Sequence, residues 1–377
     1  MRIHNEQTKI VYDTSIVDFL RELSPKRVCL TSDPFMIKLG ALAPVEAYLK
    51  EQGVPYKIFS DVKPNPDDSL VQEGLVHIFN AKPDLIVAIG GGSAIDLAKA
   101  IMYFCLEIKK QFISGEHLKK PYFAAVPTTS GTGSEVTNYT VITDAETGAK
   151  RVIQSNLMQP DAAVLDVSLT LTAPANVTAD SGFDALTHTM EAYTSLLATP
   201  FSDAYALKAF ELIFANLVQA FESADSRCAK ENMQIAASLA GLAFNHSGLG
   251  INHSIAHSLG AIFHIPHGRA NALVLPSVMA FNLKNQGVTR RYADLAGMLG
   301  LGFDDPQRSA AALIAAVEAF KVRLGLPSCL QDLGVAREQV EQAMPRIVED
   351  AFNDYCTPSH PFTVTRDDVA AIVRELI

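Results

Sequence analysis

Short apolar runs rich in valine and isoleucine punctuate the first half of the chain, each three to five residues long. They fall at Arg27–Leu30, Tyr56–Phe59, Leu85–Ile89, Tyr122–Val126 and Ala163–Leu165, and their length and β-branched content predict buried strands. Between several of them lie stretches with helical periodicity, such as Pro44–Glu51 and Leu70–Asn80. Strand–helix alternation at this spacing predicts a mostly parallel sheet covered on both faces. Beyond Pro174 the pattern changes. Ala179–Leu197, Asp203–Ser223, Glu231–Phe244 and Ala310–Leu324 carry helical periodicity and strand patterning disappears. Proline and polar residues in TLTAPAN place a boundary near Ala173–Asn176. The pattern therefore predicts an α/β domain over 1–175 and an all-α domain over 176–377.

Chemistry gathers at the ends of the predicted strands. Leu85–Ile89 runs into Gly90-Gly91-Gly92-Ser93 and then into the helical Ala94–Phe104. A strand, a glycine turn and a helix allow backbone N–H groups and a helix N-terminus to approach a pyrophosphate. The spacing is not GxGxxG, and Ser93 suits the helix cap. After Tyr122–Val126 comes the hydroxyl- and glycine-rich loop Pro127–Glu135, which includes Thr128, Thr129 and Thr132. A second polar loop at a strand end is suited to gripping phosphate and ribose oxygens. Asp33 ends the first of these strands, where a carboxylate would accept ribose hydroxyls and repel a 2′-phosphate.

The helical half carries the titratable cluster. Asp184 and His188 are four residues apart, as are His253 and His257, and each spacing puts both side chains on one helix face. His264 and His267 follow. Six of the ten histidines fall between positions 188 and 267, five of them within 22 residues. Clustered among apolar neighbours, each would need a buried partner, and a shared metal supplies one. Three imidazoles with one carboxylate would suit Fe(II) or Zn(II), and the lack of a thiolate loosens the preference for zinc.

Composition narrows the partners. The 377 residues are 48% hydrophobic and 19% charged, with a formal net charge of −10. An acidic chain without a basic stripe argues against nucleic acid and anionic membrane and leaves a small molecule. Five scattered cysteines without a CxxC pair suit a reducing cytoplasm. The amino terminus lacks a signal-peptide core, and no apolar run is expected to reach membrane-spanning length.

Together Gly90–Asp96, Pro127–Glu135, Gly182–His188, Gly250–Gly260 and His264–Gly268 resemble, in order and spacing, the motifs of the iron-containing (group III) alcohol dehydrogenases. The wording is most similar to propanol and ethanol dehydrogenases of bacterial diol- and ethanolamine-degrading pathways. The resemblance implies a Rossmann-like nucleotide domain and an all-α domain in a dehydroquinate synthase-like fold. It also implies metal-assisted hydride transfer between NAD(H) and a short-chain primary alcohol or its aldehyde. By the same resemblance the metal, Fe(2+) or Zn(2+), is held between the two domains on Asp184, His188, His253 and His267. His257 lies beside it, to orient substrate or relay a proton. Nucleotide contacts fall on Asp33, Gly91, Gly92, Ser93, Thr128, Thr129, Thr132, Val141, Lys150 and Val177. Tyr139 replaces an Asn of some relatives, and His360 stands where relatives carry the Arg of an Asn-Pro-Arg-Pro turn. A homodimer or higher homo-oligomer is implied, cytoplasmic or within a bacterial microcompartment. A dehydroquinate synthase-like lyase would need cations for an anionic substrate, yet Thr178–Leu207 and Glu231–Gly268 contain neither Lys nor Arg. Glycerol dehydrogenase matches the motif wording less well.

Overall fold

The computed structural model describes residues 6–63, 66–112, 119–146 and 150–377. The chain divides into two compact units, Met1–Ala173 and Pro174–Ile377.

The first unit holds strands β1 (Lys9–Tyr12), β2 (Val28–Thr31), β3 (Tyr56–Phe59), β4 (Leu85–Gly90), β5 (Tyr122–Pro127), β6 (Tyr139–Thr143), β7 (Lys150–Gln154) and β8 (Ala162–Leu165). Its helices are α1 (Ile16–Leu23), α2 (Pro34–Lys38), α3 (Ala43–Glu51), α4 (Asp68–Ala81) and α5 (Gly92–Phe112). Six strands form one sheet in the order β1-β8-β5-β4-β2-β3, with every pairing parallel. Strand alternation feeds two cores. Cys29, Ile86, Ala88, Phe123 and Ala125 face α4 and α5, whereas Leu30, Leu85, Val87, Ala124 and Val164 face α1 and α3. Both faces being covered explains why the strands read as unbroken apolar runs. From β2 the chain steps to β3 on one side and then to β4 on the other. The crevice beyond the carboxyl ends of β2 and β4 is thus a topological switch point, where ligands bind in open α/β sheets. β6 and β7 form a separate antiparallel hairpin that the sequence reading did not anticipate.

The second unit is helical among its described residues. It comprises α6 (Ala175–Thr194), α7 (Pro200–Glu222), α8 (Arg227–Ser247), α9 (Ile251–Phe263), α10 (His267–Asn282), α11 (Gln286–Met298), α12 (Pro306–Arg323), α13 (Arg337–Phe352) and α14 (Arg366–Arg374). Contrary to the expectation that no apolar run reaches spanning length, α7 is long and apolar enough to cross a membrane. Its Ala206, Phe210, Ile213 and Leu217 are instead fully buried in the helical core. Gly182 lets α6 and α7 touch: a Cβ there would lie 2.2 Å from Leu217.

Candidate metal centre and nucleotide loops

α6, α9 and the start of α10 converge on one buried point. Asp184 and His188 come from successive turns of α6, His253 from the first turn of α9, and His267 from the first residue of α10. One ligand atom from each of the four lies within 4.8 Å of the others. Asp184 and His253 have side chains 3% and 1% exposed, whereas His267 is 35% exposed, so the cluster opens to solvent on that side. Gly268 sets the helix spacing. A Cβ there would sit 2.1 Å from the Asp180 carbonyl oxygen and 3.3 Å from Asp184 Cβ, so only glycine lets α10 close onto α6.

The donor set fits a cation. Asn271 Nδ2 lies 2.7 Å from Asp184 Oδ1 and 3.2 Å from both His253 Nε2 and His267 Nε2. An amide nitrogen carries two hydrogens, so with both Nε2 atoms unprotonated it cannot serve all three acceptors, and the lone pairs converge where a divalent ion would satisfy them together. Burial works against charge on Asp184, but the neighbouring His188 and His267, then His253, hold its carboxyl well below the usual range. Burial likewise opposes charge on His253, yet the Glu191 carboxylate and Asp184 push that ring up to about 9. Together the shifts describe carboxylates and imidazoles charge-paired in one buried pocket. His188 completes the wall, stacked on Phe244 and on His253 with centroids 4.6 Å apart in each case.

His257 sits one turn beyond His253, outside the four-atom cluster. Its ring stacks on that of His267 (5.2 Å between centroids, 15° between planes), and its Nδ1 lies 2.9 Å from Asp354 Oδ2. The other Asp354 oxygen accepts from Ser254 Oγ and the Cys356 N–H. Burial raises the Asp354 carboxyl, but His257, by charge and hydrogen bond, holds it well below the usual range.

Two of the five clustered histidines lie away from the four ligand atoms. His264 is exposed and closes α9 in the left-handed conformation, with φ 56°. His246 lies half-buried at the end of α8. Neither belongs to the cluster. His360, in contrast, is buried, packs against Phe362 and accepts the Ile251 N–H at 3.4 Å. Burial pushes its ring down to about 4, so it acts as a neutral acceptor at the start of α9, a role that an Arg cannot fill.

In the first unit the two polar loops meet. A Cβ on Gly91 would lie 3.6 Å from Thr129, and one on Gly92 would lie 2.9 Å from Thr132. The Thr128 N–H donates to the Gly90 carbonyl at 3.0 Å. Ser93 is not the helix cap that its residue type suggested. α5 starts at Gly92, and the Gly91 carbonyl accepts the first helical N–H bonds, which leaves the Ser93 side chain inside the first turn. Asp33 caps α2, accepting the Met36 N–H on Oδ1 at 2.9 Å, while Oδ2 lies 3.4 Å from the position of a Cβ on Gly90. It therefore does cap a helix, and still presents an oxygen beside the glycine turn. The hairpin brings in Val141 and Lys150: the Val141 N–H reaches Asp96 Oδ2 on α5 at 3.3 Å, and Lys150 pairs with Thr143 across the hairpin. Buried Lys99, pushed down to about 8 by desolvation, donates to Ser134, Thr137 and the Tyr139 carbonyl, each at 2.9 Å, and pins the loop to α5. Val177 belongs to the second unit, half-buried in the first turn of α6.

Sequence reasoning missed Glu191, Asn271 and Asp354. Glu191 and Asn271 were within reach, since 184, 188 and 191 share one face of α6, and 267 and 271 are one turn apart on α10. Asp354 follows α13, nearly a hundred residues from His257, and no local spacing marks it.

Family models cover nearly the whole chain: "Iron-containing alcohol dehydrogenase" matches residues 8–167, and the C-terminal model of the Fe-containing alcohol dehydrogenase family matches residues 178–377. The chain is 36% identical to a 1-propanol dehydrogenase of Citrobacter freundii over 379 residues, covering 100% of both. It is 37% identical to an NADPH-dependent butanol dehydrogenase of Clostridium saccharobutylicum, covering 96% of this chain and 95% of that one. The crystal structure of a 1,3-propanediol oxidoreductase superposes with a TM-score of 0.90 at 34% identity over 100% of both chains. The chain belongs to the iron-containing alcohol dehydrogenase family, and its reaction is the interconversion of an alcohol and an aldehyde.

Proposed function

We propose that this chain interconverts a short-chain primary alcohol and its aldehyde with NAD(H), using a divalent metal, Fe(2+) in first place and Zn(2+) as the substitute, on Asp184, His188, His253 and His267. The convergence of four ligand atoms on the three-acceptor point in front of Asn271 carries this reading. A metal bound there would supply Lewis acidity toward the substrate oxygen, and the nicotinamide would supply or take the hydride. The protein's own residues do the rest. Asp184 brings one negative charge to the four-ligand set. Half-exposed His267 marks the side from which substrate enters. His257, its Nδ1 held by Asp354, orients the substrate or relays the hydroxyl proton. Arg269 is paired with Asp180 at 3.0 Å and is not free to hold an anionic substrate, which favours a small uncharged one.

For the nucleotide, Gly91, Gly92, Ser93, Thr128, Thr129 and Thr132 offer backbone N–H groups and hydroxyls, joined by Val141 and Lys150 of the hairpin and by Val177. Asp33 sits where it would accept ribose hydroxyls at the switch point and discriminate against NADP. Met1–Ala173 would carry the nucleotide loops, and Pro174–Ile377 the metal ligands together with Val177. Five free cysteines suit a reducing compartment, hence a cytoplasmic enzyme, and we assign it a homo-oligomeric state. Replacing His267 by Ala tests the ligand set. The folded variant should purify without metal and without turnover, and full metal occupancy would remove His267 from the set.

A further inference from the structure

We propose that Glu191 is a positioning residue that fixes His253 on the metal pocket by holding its Nδ1. The inference rests on the reading of His253 as a metal ligand, and it adds a residue outside the ligand set.

Glu191 divides its two oxygens. Oε1 accepts the Asn252 backbone N–H at 2.8 Å, and Oε2 makes a short hydrogen bond with His253 Nδ1. The opposite ring atom, Nε2, faces the pocket, 3.7 Å from Asp184 Oδ1. A carboxylate accepts only, so Nδ1 carries the proton, and on the neutral ring that a metal requires the Nε2 lone pair points at the metal position. The same group satisfies one of the N–H groups that α9 leaves unpaired at its start, while His360 accepts from Ile251 beside it. Gly250 makes room for both: a Cβ there would sit 2.9 Å from Glu191 Oε1 and 3.0 Å from His360 Nδ1. One buried carboxylate, 6% exposed, therefore sets both where α9 begins and which nitrogen its first-turn histidine offers.

A purely structural role is separable because the two oxygens do different things. In Glu191→Gln the amide oxygen still accepts the Asn252 N–H. Its NH2 then meets His253 Nδ1, which must become the acceptor, and the ring proton moves to Nε2, where it blocks the lone pair. The metal-free variant should keep the wild-type melting temperature within a few degrees. Its Zn(2+) and Co(2+) dissociation constants, read by chelator competition on the full-length protein, should rise by about 10–100-fold, and the visible spectrum of the Co(2+) form should change. Wild-type affinity in a folded Glu191→Gln protein overturns the inference. Should that variant not fold, Glu191→Asp decides: it keeps the charge but shortens the arm, so affinity must still fall, by less, and unchanged affinity again overturns the proposal. His267→Ala in the same titration separates the two levels. If it binds Zn(2+) normally, the ligand set itself is wrong. If it loses Zn(2+) while Glu191→Gln does not, only the role of Glu191 fails.

Discussion

Gly268→Ala perturbs the metal centre without removing a ligand. A methyl group at this position would lie 2.1 Å from the Asp180 carbonyl oxygen and 2.7 Å from its carbon. Real Cβ contacts do not fall below 3.0 Å, so the start of α10 must retreat from α6 by at least 0.9 Å, the difference between 3.0 and 2.1. The obstacle is backbone within a helix, not the end of a flexible side chain, so the cost belongs at the upper end for overpacking, about 3 kcal/mol. In a unit of this size that is a fall in melting temperature of roughly 6–12 °C. His267 is the neighbouring residue and rides on the same turn, so the retreat separates it from Asp184, now 3.4 Å away. Misplacement of about 1 Å can cost about 10²-fold in turnover. The assay pairs thermal melting of the metal-free protein with Zn(2+) titration and steady-state oxidation of 1-propanol. Gly297→Ala in α11 is the control: a Cβ there meets nothing within 4 Å, so its stability should change by less than about 1 kcal/mol. A Gly268→Ala protein that melts, binds Zn(2+) and turns over like wild type would refute the close α6–α10 approach.

Two other variants probe the neighbouring groups. Asp33→Ser keeps a hydroxyl to cap α2 while removing the charge, so kcat/KM with NADP should rise relative to that with NAD, and a wild-type preference for NADP would contradict the role given to Asp33. His257→Ala should retain its metal and lose about 10²–10⁴-fold in turnover with an altered pH profile; loss of metal would make His257 a ligand, and near-normal turnover would make it a packing residue.

Five of the six sheet strands and four long helices of the second unit were legible because their apolar patterns are dictated by burial, whereas the edge strand β1, only partly buried, was not. Each helix predicted beyond Pro174 nevertheless began about one turn late: Ala179 against Ala175, Asp203 against Pro200, Glu231 against Arg227 and Ala310 against Pro306. First turns are built of prolines, caps and exposed polar residues, such as Asp305 before Pro306 and the Thr199–Ser202 capping box, and carry no apolar stripe. The β6–β7 hairpin was missed because it lies outside the six-stranded sheet and outside the strand–helix alternation. In the site, helical spacing brought Asp184 to His188 and His253 to His257, but could not say which histidines converge. His264 shows why. It is a histidine in the same short stretch, but the chain turns through it in the left-handed conformation and leaves it in solvent. Asp354 was illegible for the opposite reason, since its partner is reached only through the packing of the stretch after α13 against α9.

Stripping the enzyme with a chelator and reloading it, with propanal and NADH as substrates, tests the central claim most directly. Metal-free protein should be folded and inactive, with activity returning in proportion to Fe(2+) bound and saturating at one ion per chain. Turnover that survives complete removal of metal, or that returns in the His267→Ala protein, would contradict the account.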